Sequence, residues 1–215
     1  MKQILLIDDH PVMRLGLAAL IRAEKDLRVW GEAGTAGEAM SLCEDACPDL
    51  ATVDLTLPDK NGLELIKDLR ARHPNLNFLV VSMHDEMMYA ERVLRAGAKG
   101  YIMKQEAPEK LISAIRLILR GDVFLSSGVA ARILKRFADA GGRAASPIER
   151  LTDRELEVFQ LIGEGKGSRE IAGMLHISVR TVDAHRAHIK EKLELRDSTE
   201  LVHHAIRWVE TGQLA

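Results

Sequence analysis

The stretch Leu50-Ala-Thr-Val-Asp-Leu-Thr-Leu-Pro-Asp59 places one carboxylate, Asp54, at the end of a short apolar run. Turn-forming residues follow at Pro58, Asn61 and Gly62, and such a cluster is typical of a loop after a strand. The pattern predicts a buried strand that ends at Asp54. Because an ionised carboxylate is costly to bury alone, we expect charged or polar partners around it.

Four further apolar runs resemble this one, and segments with helical periodicity alternate with them. Together with Leu50–Val53, the five runs are Ile4–Ile7, Val29–Ala33, Leu50–Val53, Phe78–Val81 and Tyr101–Met103. The helical segments are Val12–Arg22, Ala36–Ala46, Leu63–Arg72, Glu86–Arg95 and Pro108–Arg120. Strands that are apolar on both faces and alternate with helices are typical of a parallel sheet covered on both sides. The first half is therefore predicted to be a doubly wound α/β domain with a five-stranded parallel sheet.

The composition is that of a globular protein with two domains. The chain has 215 residues, of which 47% are hydrophobic and 29% charged, and this length suits two compact domains. Residues 1–147 carry 20 basic and 20 acidic side chains, and the remainder carries 10 and 12. Binding of nucleic acid by the second half would therefore depend on where its charges lie, because their total is not basic.

Several sequence features indicate a cytoplasmic protein with no membrane partner. No apolar run approaches the ~20 residues that a membrane helix needs. The first apolar run ends at Asp8-Asp9, which excludes a signal peptide. Cys43 and Cys47 form no metal-binding pattern, and we interpret them as small helix residues in a reducing compartment.

Polar side chains follow four of the five predicted strands. They are Asp8 and Asp9, Asp54, Ser82 and Lys104. Because the carboxyl ends of parallel strands meet at one edge of the sheet, these groups are expected to converge there. Three carboxylates at close range repel one another, and Mg²⁺ is the cation that oxygen ligands of this kind prefer. Asp54 could then act as a nucleophile toward phosphorus, with Lys104 and Ser82 neutralising or contacting the phosphoryl oxygens.

Asp8-Asp9, Asp54 with Pro58-Asp59 and Gly62, Ser82, and Tyr101-x-x-Lys104 together resemble the receiver domain of bacterial two-component response regulators. The resemblance spans about residues 1–121 and implies a flavodoxin-like fold. It implies that Asp54 accepts a phosphoryl group from a sensor histidine kinase. It further implies that Asp9, Asp54 and the carbonyl of Thr56 bind Mg²⁺, that Asp8 acts through water, and that Ser82 and Tyr101 form a switch. Many receivers have proline after the lysine, where this chain has Gln105.

Residues 122–147 are predicted to form a linker with one short helix. Ser126-Ser127-Gly128 can begin a helix over Val129–Phe137 that has one apolar stripe. The following stretch from Ala138 to Pro147 is rich in small residues and has no apolar period, which is typical of a flexible linker. The surface on which the helix packs stays open at this point.

Residues 148–215 are predicted to form a small all-α domain. Thr152 and Glu155 make a capping box for a helix that runs to about Gly163. Helices over Arg169–Leu175 and Val179–Leu195, joined by a three-residue turn, have the spacing of a helix-turn-helix. A fourth helix is predicted from Asp197–Glu200 to Val209. Such a domain is typical of DNA-binding proteins, but a protein-binding module with a solvated charged face would show a similar pattern.

At 100° per residue, the second helix of the pair has one apolar side and one polar side. Val182, Ile189 and Leu193 lie on the apolar side, while Arg180, Ala184, Ala187, His188 and Glu191 lie opposite. Small residues permit close approach to a groove, and Arg180, Lys190 and Lys192 can reach phosphates or bases. Lys166 and Arg169 add positive charge near the preceding turn.

The second half also carries the motifs of a known family. Leu151-Thr-x-Arg-Glu155, Glu164-Gly-Lys166, Glu170-Ile-Ala172, Ile177-Ser178, Thr181-Val182-x-x-His185 and Lys192-Leu193 resemble the LuxR-type helix-turn-helix. Joined to a receiver, this domain is similar to the NarL/FixJ subfamily. The resemblance implies contacts with double-stranded DNA near Thr181 and Asp183, a dimer contact on the last helix, and a homodimer in the active state. Asp183 stands where many members have a DNA-contacting lysine.

The sequence therefore predicts a transcription regulator whose DNA binding is switched by phosphorylation of Asp54, and not an enzyme beyond its own phosphorylation and dephosphorylation. One alternative is a constitutive DNA-binding regulator whose receiver does not switch. Another is an aspartate-nucleophile phosphatase, although the chain has no insertion that would form a substrate cap.

Overall fold

The computed structural model describes residues 1–44, 46–106, 108–138 and 147–211. The chain folds as two compact units, Met1–Ala138 and Asp139–Ala215. Most of the predicted flexible stretch between 138 and 147 lies outside the described residues. Among the residues that the model describes, no helix has both the length and the apolar character needed to span a bilayer.

The first unit contains a five-stranded parallel sheet. Its strands are β1 (Lys2–Ile7), β2 (Leu27–Ala33), β3 (Leu50–Val53), β4 (Asn77–Ser82) and β5 (Gly100–Met103). Their order in the sheet is β2-β1-β3-β4-β5, which is the flavodoxin-like order. The strands pair in parallel, with Ile7 opposite Val53 and Val53 opposite Val80. The predicted fold class is confirmed.

Five helices cover the two faces of this sheet. They are α1 (Pro11–Arg22), α2 (Ala36–Leu42), α3 (Gly62–Arg72), α4 (Glu86–Ala96) and α5 (Pro108–Leu119). Thr35, Asn61 and Asp85 cap α2, α3 and α4 by accepting hydrogen bonds from backbone amides, so each strand-to-helix loop ends in a defined cap. The core on one face joins Ile4 of β1 to Ile21 of α1 and Ile115 of α5, among other apolar residues.

The prediction for α2 was wrong at its end. The helix ends at Leu42 rather than at Ala46. Cys43 is buried just beyond it, and Cys47 is exposed outside it, so the two cysteines do not share a helix. Pro48 disfavours helical backbone at Cys47, the residue before it, which accounts for Cys47 lying outside the helix.

The linker helix packs on the first unit. This helix, α6 (Ser127–Ala138), contacts α4. Val129 in its first turn is only 3% exposed, whereas Leu134 is 68% exposed. The apolar stripe predicted for this helix therefore meets the receiver at its beginning and solvent further along.

The second unit is all-helical. A short 3-10 helix at Pro147–Arg150 precedes α7 (Asp153–Gly163), α8 (Ser168–Met174), α9 (Val179–Lys192) and α10 (Ser198–Thr211). The predicted capping box is confirmed, since Glu155 N–H donates to Thr152 Oγ1 at 3.3 Å and Thr152 N–H donates to Glu155 Oε2 at 2.7 Å. Phe159 of α7 and Trp208 of α10 meet in the core with ring centroids 5.6 Å apart.

Candidate functional site

The carboxyl edge of the sheet brings together the polar residues that follow β1, β3, β4 and β5. The Lys104 ammonium lies 2.7 Å from Asp54 Oδ2 and 2.7 Å from Asp8 Oδ2. The side chains of all three residues are 2–4% exposed. Two carboxylates and one ammonium are thus buried in contact, as the convergence of strand ends predicts.

The cluster contains two carboxylates and one ammonium, and burial changes the pKa of both kinds of group. Burial raises the pKa of Asp54 to about 6, although the neighbouring Lys104 ammonium acts in the opposite direction. For Lys104, burial opposes the charged form, but Asp54 and Asp8 outweigh it and raise the pKa of the ammonium. Asp54 is therefore ionised at neutral pH, within a site that has one carboxylate more than it has cations.

The surplus negative charge lies where a divalent cation would fit. Asp8, Asp9, His10 and Asp54 each offer one ligand atom, and these atoms all lie within 4.8 Å of one another. His10 Nδ1 lies 2.6 Å from Asp9 Oδ1. Carboxylate oxygens dominate this donor set, which suits a hard cation that retains water ligands. The donor set thus fits the magnesium site predicted from the sequence.

Thr56 follows β3 and Ser82 ends β4, so both lie at the same edge of the sheet as Asp54. The Thr56 amide N–H points toward Asp54 Oδ1 at 3.4 Å. The Ser82 side chain is fully buried, and its hydroxyl oxygen lies 3.4 Å from the amide nitrogen of His84. The Thr56 amide thus contacts Asp54 directly, and Ser82 lies at the carboxyl end of β4, the strand next to β3.

Tyr101 faces inward in this structure. Its ring is 1% exposed, and its hydroxyl donates to the carbonyl oxygen of His84 at 2.8 Å. Burial raises the pKa of Tyr101 above its usual range, so its hydroxyl is a neutral donor. Tyr101 is thereby tied to the loop that joins β4 to α4.

His84 is a site residue that the sequence analysis missed. Its Nε2 lies 3.1 Å from Thr56 Oγ1, and its ring lies 4.8 Å from the ring of Tyr89 between centroids. It thus links the loop after β3, which begins with Asp54, to the loop after β4. Its position two residues after Ser82 is a signal that could have been noticed, but the partner Thr56 could not be read from spacing.

In the second unit, α8 and α9 form the predicted helix-turn-helix. Val182 and Ile189 are buried, as predicted for the apolar side of α9. The polar side is open to solvent at Arg180, Thr181, Asp183, Ala184, Ala187 and His188. Lys190 is half-buried, while Lys166 is half-buried and Arg169 exposed near the start of α8.

Several of the candidate DNA contacts have partners inside the unit, and Lys192 and Asp183 are examples. The Lys192 ammonium donates to Glu155 Oε2 at 2.6 Å, which ties the end of α9 to the capping box of α7. The Glu155 carboxylate is buried, yet the hydrogen bonds from Lys192 and Thr152 hold its pKa below the usual value. Asp183 accepts a hydrogen bond from the Ser168 hydroxyl at 3.0 Å. The structure thus places Lys192 in the fold of the domain rather than on the free side of α9.

The family comparisons agree with this geometry in both units. The family described as the response regulator receiver domain matches residues 4–116, and the family of bacterial regulatory proteins of the luxR type matches residues 149–205. The chain belongs to the two-component response regulators. This response regulator joins a receiver domain to a LuxR-type DNA-binding domain, the combination that the sequence predicted for the NarL/FixJ subfamily.

Curated relatives extend over almost the whole chain. The oxygen regulatory protein NreC of Staphylococcus carnosus (strain TM300) is 36% identical over 210 residues, which cover 95% of this chain and 97% of that protein. NreC of Staphylococcus haemolyticus (strain JCSC1435) is 33% identical over 210 residues with the same coverage. The similarity to these relatives thus extends over both domains of this response regulator.

Solved structures resemble the response regulator as well. A LuxR-family two-component response regulator from Aurantimonas sp. SI85-9A1 is 35% identical with a TM-score of 0.59, and the match covers 64% of this chain and 99% of that one. RcsB from Salmonella enterica serovar Typhimurium, bound to promoter rprA with the phosphomimetic BeF3-, is 24% identical. Its TM-score is 0.62, and the match covers 94% of this chain and 96% of RcsB, which supports the fold.

Proposed function

We propose that Asp54 accepts a phosphoryl group from a sensor histidine kinase and that this modification controls DNA binding by the second unit. The observation that carries the proposal is the burial of Asp54 beside Lys104 and Asp8 at the carboxyl edge of the sheet. A carboxylate held in this way, with a neighbouring carboxylate and a cation in place, is suited to receive a phosphoryl group.

The transfer needs an ionised carboxylate and a nearby positive charge. Asp54 meets the first requirement above pH 6, because its pKa is raised only to about 6. An oxygen of Asp54 forms a P–O bond while the P–N bond of a phosphohistidine breaks, and the electron pair stays on the imidazole nitrogen, which takes up a proton. Lys104, already 2.7 Å from Asp54 Oδ2, offsets the negative charge that the phosphoryl group brings.

Mg²⁺ is the proposed cofactor. Asp9, Asp54 and the carbonyl of Thr56 would hold the ion, with Asp8 acting through water. When bound, Mg²⁺ supplies positive charge next to the phosphoryl oxygens. The cluster of carboxylate oxygens within 4.8 Å supports this assignment.

Ser82 and Tyr101 are the proposed switch. The Ser82 hydroxyl is fully buried and can turn toward a phosphoryl oxygen. Tyr101 donates to the loop between Ser82 and α4, so a movement of that loop and the inward position of the ring depend on each other. Two such arrangements of one loop are the kind of element that phosphorylation can bias.

The exposed side of α9 is the proposed DNA-binding surface. Arg180, Thr181, Asp183, Ala184, Ala187, His188 and Lys190, with Lys166 and Arg169 at the start of α8, are the proposed contacts. Their positive charges favour phosphates, and the two alanines allow the helix to lie close to the bases. Solved structures of RcsB show it bound to promoter rprA and, in another case, as two dimers bound to two parallel DNAs. We propose double-stranded DNA and a homodimer through α10 for this chain as well.

The proposed domain limits are residues 1–121 for the receiver, 122–147 for the linker and 148–215 for the DNA-binding domain. A regulator of transcription acts where the chromosome lies, so we propose a cytoplasmic location. Its chemistry would be limited to its own phosphorylation and dephosphorylation.

The test compares wild type with Asp54→Asn, using Glu64→Gln as a control that removes an exposed carboxylate from α3. Each protein is incubated with Mg²⁺ and acetyl phosphate, and acid-labile phosphate and DNA affinity are measured. We expect labelling and tighter DNA binding in wild type and Glu64→Gln, and neither in Asp54→Asn. Equal labelling of Asp54→Asn and wild type would show that Asp54 is not the phosphoacceptor. Multiple turnover on a phosphate ester would favour the phosphatase. A DNA affinity that is the same with and without acetyl phosphate would favour a constitutive DNA-binding regulator.

A further inference from the structure

The segment after α5 runs alongside β5 as an added piece of parallel sheet. Phe124 N–H donates to the carbonyl of Lys99 at 2.8 Å, and Tyr101 N–H donates to the carbonyl of Phe124 at 3.1 Å. A Cβ atom on Gly100 would lie 3.0 Å from the Phe124 oxygen, so glycine permits the close approach of the two backbones. The start of the linker is therefore hydrogen-bonded to the strand that carries Tyr101.

The first turn of α6 is held by α4. The Ser126 amide N–H donates to Glu86 Oε1 at 2.8 Å. Val129, three residues later, is buried, and its amide lies 3.3 Å from Ser126 Oγ. A carboxylate at the N-terminus of a helix is favourable because it accepts from free amides and opposes the helix dipole. Glu86, in the first turn of α4, thus stabilises the N-terminus of a second helix.

These two attachments end on the residues that surround Asp54. Tyr101 donates its main-chain N–H to Phe124 and its hydroxyl to His84. The His84 amide lies 3.4 Å from the Ser82 hydroxyl oxygen, and α4 begins two residues later, at Glu86. A shift of the loop between Ser82 and α4 therefore moves Glu86, and Glu86 holds the start of α6.

We propose that Glu86 is a positioning residue that couples the state of the Asp54 site to the linker helix. The clamp that it forms consists of the Glu86–Ser126 hydrogen bond and the Phe124 pairing with β5. This inference rests on the proposed function, because the coupled event is the phosphorylation of Asp54. The clamp is formed here with Tyr101 inward, so phosphorylation that fixes the loop and the ring in this position, as the proposed switch requires, would strengthen it.

Variants can separate coupling from folding. Glu86→Ala removes the acceptor, Glu86→Gln keeps an amide oxygen in its place, and Ser126→Pro removes the donor without altering α4. Glu109→Ala is the matched control, because it removes an exposed carboxylate from the first turn of α5. Each full-length protein is incubated with Mg²⁺, with and without acetyl phosphate. Three quantities are measured: Asp54 labelling, DNA affinity and amide hydrogen exchange over residues 122–130.

In wild type we expect phosphorylation to slow exchange over residues 122–130. In Glu86→Ala and Ser126→Pro we expect faster exchange there, unchanged Asp54 labelling, and a phosphorylation-dependent gain in DNA affinity that falls at least threefold. Glu86→Gln should keep most of the gain, and Glu109→Ala should keep all of it. The double variant Glu86→Ala/Ser126→Pro should lose no more than Ser126→Pro alone, since Ser126→Pro already removes the Glu86–Ser126 hydrogen bond together with the hydroxyl that accepts from Val129.

The outcomes distinguish this inference from the function on which it rests. If wild type is not labelled at Asp54, the proposed function fails and the coupling fails with it. If wild type is labelled and gains DNA affinity while Glu86→Ala gains as much, the coupling role of Glu86 is wrong and the proposed function stands. Exchange over residues 122–130 that is identical in wild type and Glu86→Ala would contradict the clamp itself.

Discussion

Lys104 Nζ lies 2.7 Å from Asp54 Oδ2, and both side chains are almost completely buried. The same ammonium lies 2.7 Å from Asp8 Oδ2, so one cation serves two carboxylates that come from different strands. Removing that cation would leave both carboxylates buried without a partner. The response regulator therefore depends on Lys104 for stability as well as for phosphoryl transfer.

Lys104→Met should destabilise the protein and abolish labelling of Asp54. Breaking a buried ion pair on one side costs about 3–5 kcal/mol, and the cost should shrink at pH 5 because a carboxylate can then take up a proton. Urea unfolding without Mg²⁺ at pH 8 and at pH 5 measures this difference. The control is Lys110→Met, which breaks the exposed pair with Glu106 and should cost less than about 1 kcal/mol. Similar losses in the two variants would show that burial of Lys104 has no energetic consequence.

The raised pKa of Asp54 predicts a dependence of stability on pH. Its pKa is about 6 in the folded protein and about 4 in an unfolded chain, so the folded state binds the proton more tightly. The contribution to stability is complete below the unfolded pKa and is lost as the pH rises through the folded pKa. In EDTA, the stability of wild type relative to Asp54→Asn should therefore fall by about 1 kcal/mol from pH 5 to pH 8. A difference that grows with pH would mean that the Asp54 pKa is lowered rather than raised.

Arg180→Ala should weaken DNA binding but not stability, and Lys192→Ala should lower stability, although each variant removes one positive charge from α9. Arg180 is exposed on the free side of the helix. If it contacts a base, its loss should weaken DNA binding by about 1–3 kcal/mol; if it contacts a phosphate, its loss should reduce the slope of log affinity against log salt concentration by about one. In both cases the free energy of unfolding should not change. Lys192 is bonded to Glu155 at 2.6 Å, so its loss should lower stability by about 1 kcal/mol. DNA titrations at several salt concentrations and thermal unfolding test the pair. The same profile for both variants would contradict the assignment of Lys192 to the fold.

Asp183→Asn should strengthen non-specific DNA binding. Asp183 is exposed on α9 and brings negative charge toward the phosphates that the neighbouring basic residues attract. Neutralising it should raise affinity for random-sequence DNA, because the phosphate contacts supply most of that affinity. Ser168→Ala removes the hydrogen bond to Asp183 but keeps the charge, and it should leave that affinity unchanged. Competition with random DNA at fixed salt distinguishes the two.

Gly62→Ala and Gly16→Ala should change the free energy of unfolding in opposite directions. A Cβ on Gly62 would lie 2.1 Å from the carbonyl oxygen of Asp54, whereas a Cβ on Gly16 would meet nothing within 4 Å. Gly62→Ala should therefore push the loop after β3 away from the site and cost at least about 1–3 kcal/mol. Gly16→Ala, inside α1, should stabilise the helix by about 0.5–1 kcal/mol. Urea unfolding measures both, and a neutral Gly62→Ala would contradict the tight packing of this loop.

The periodicity of the chain was sufficient to predict the five strands, the parallel sheet and the helix-turn-helix. Apolar runs and helical spacing report which side of an element is buried, and this information is local. The proximity of the polar residues that follow four strands could be predicted from the sequence because parallel strands end at one edge of the sheet. For that reason the sequence predicts that Asp8, Asp54, Ser82 and Lys104 lie together. The end of α2 was misjudged because local spacing does not say where the chain must turn.

The sequence by itself determined the class of each domain and most of the phosphorylation site. Only the tertiary structure decided that His84 meets Thr56, that Lys192 is held by Glu155, and that Glu86 holds the start of α6 across 40 residues of chain. The physical reason is that a hydrogen bond between side chains on different elements depends on their relative placement to within a few tenths of an ångström. Such placement is set by the packing of the whole core, which no local pattern of residues records.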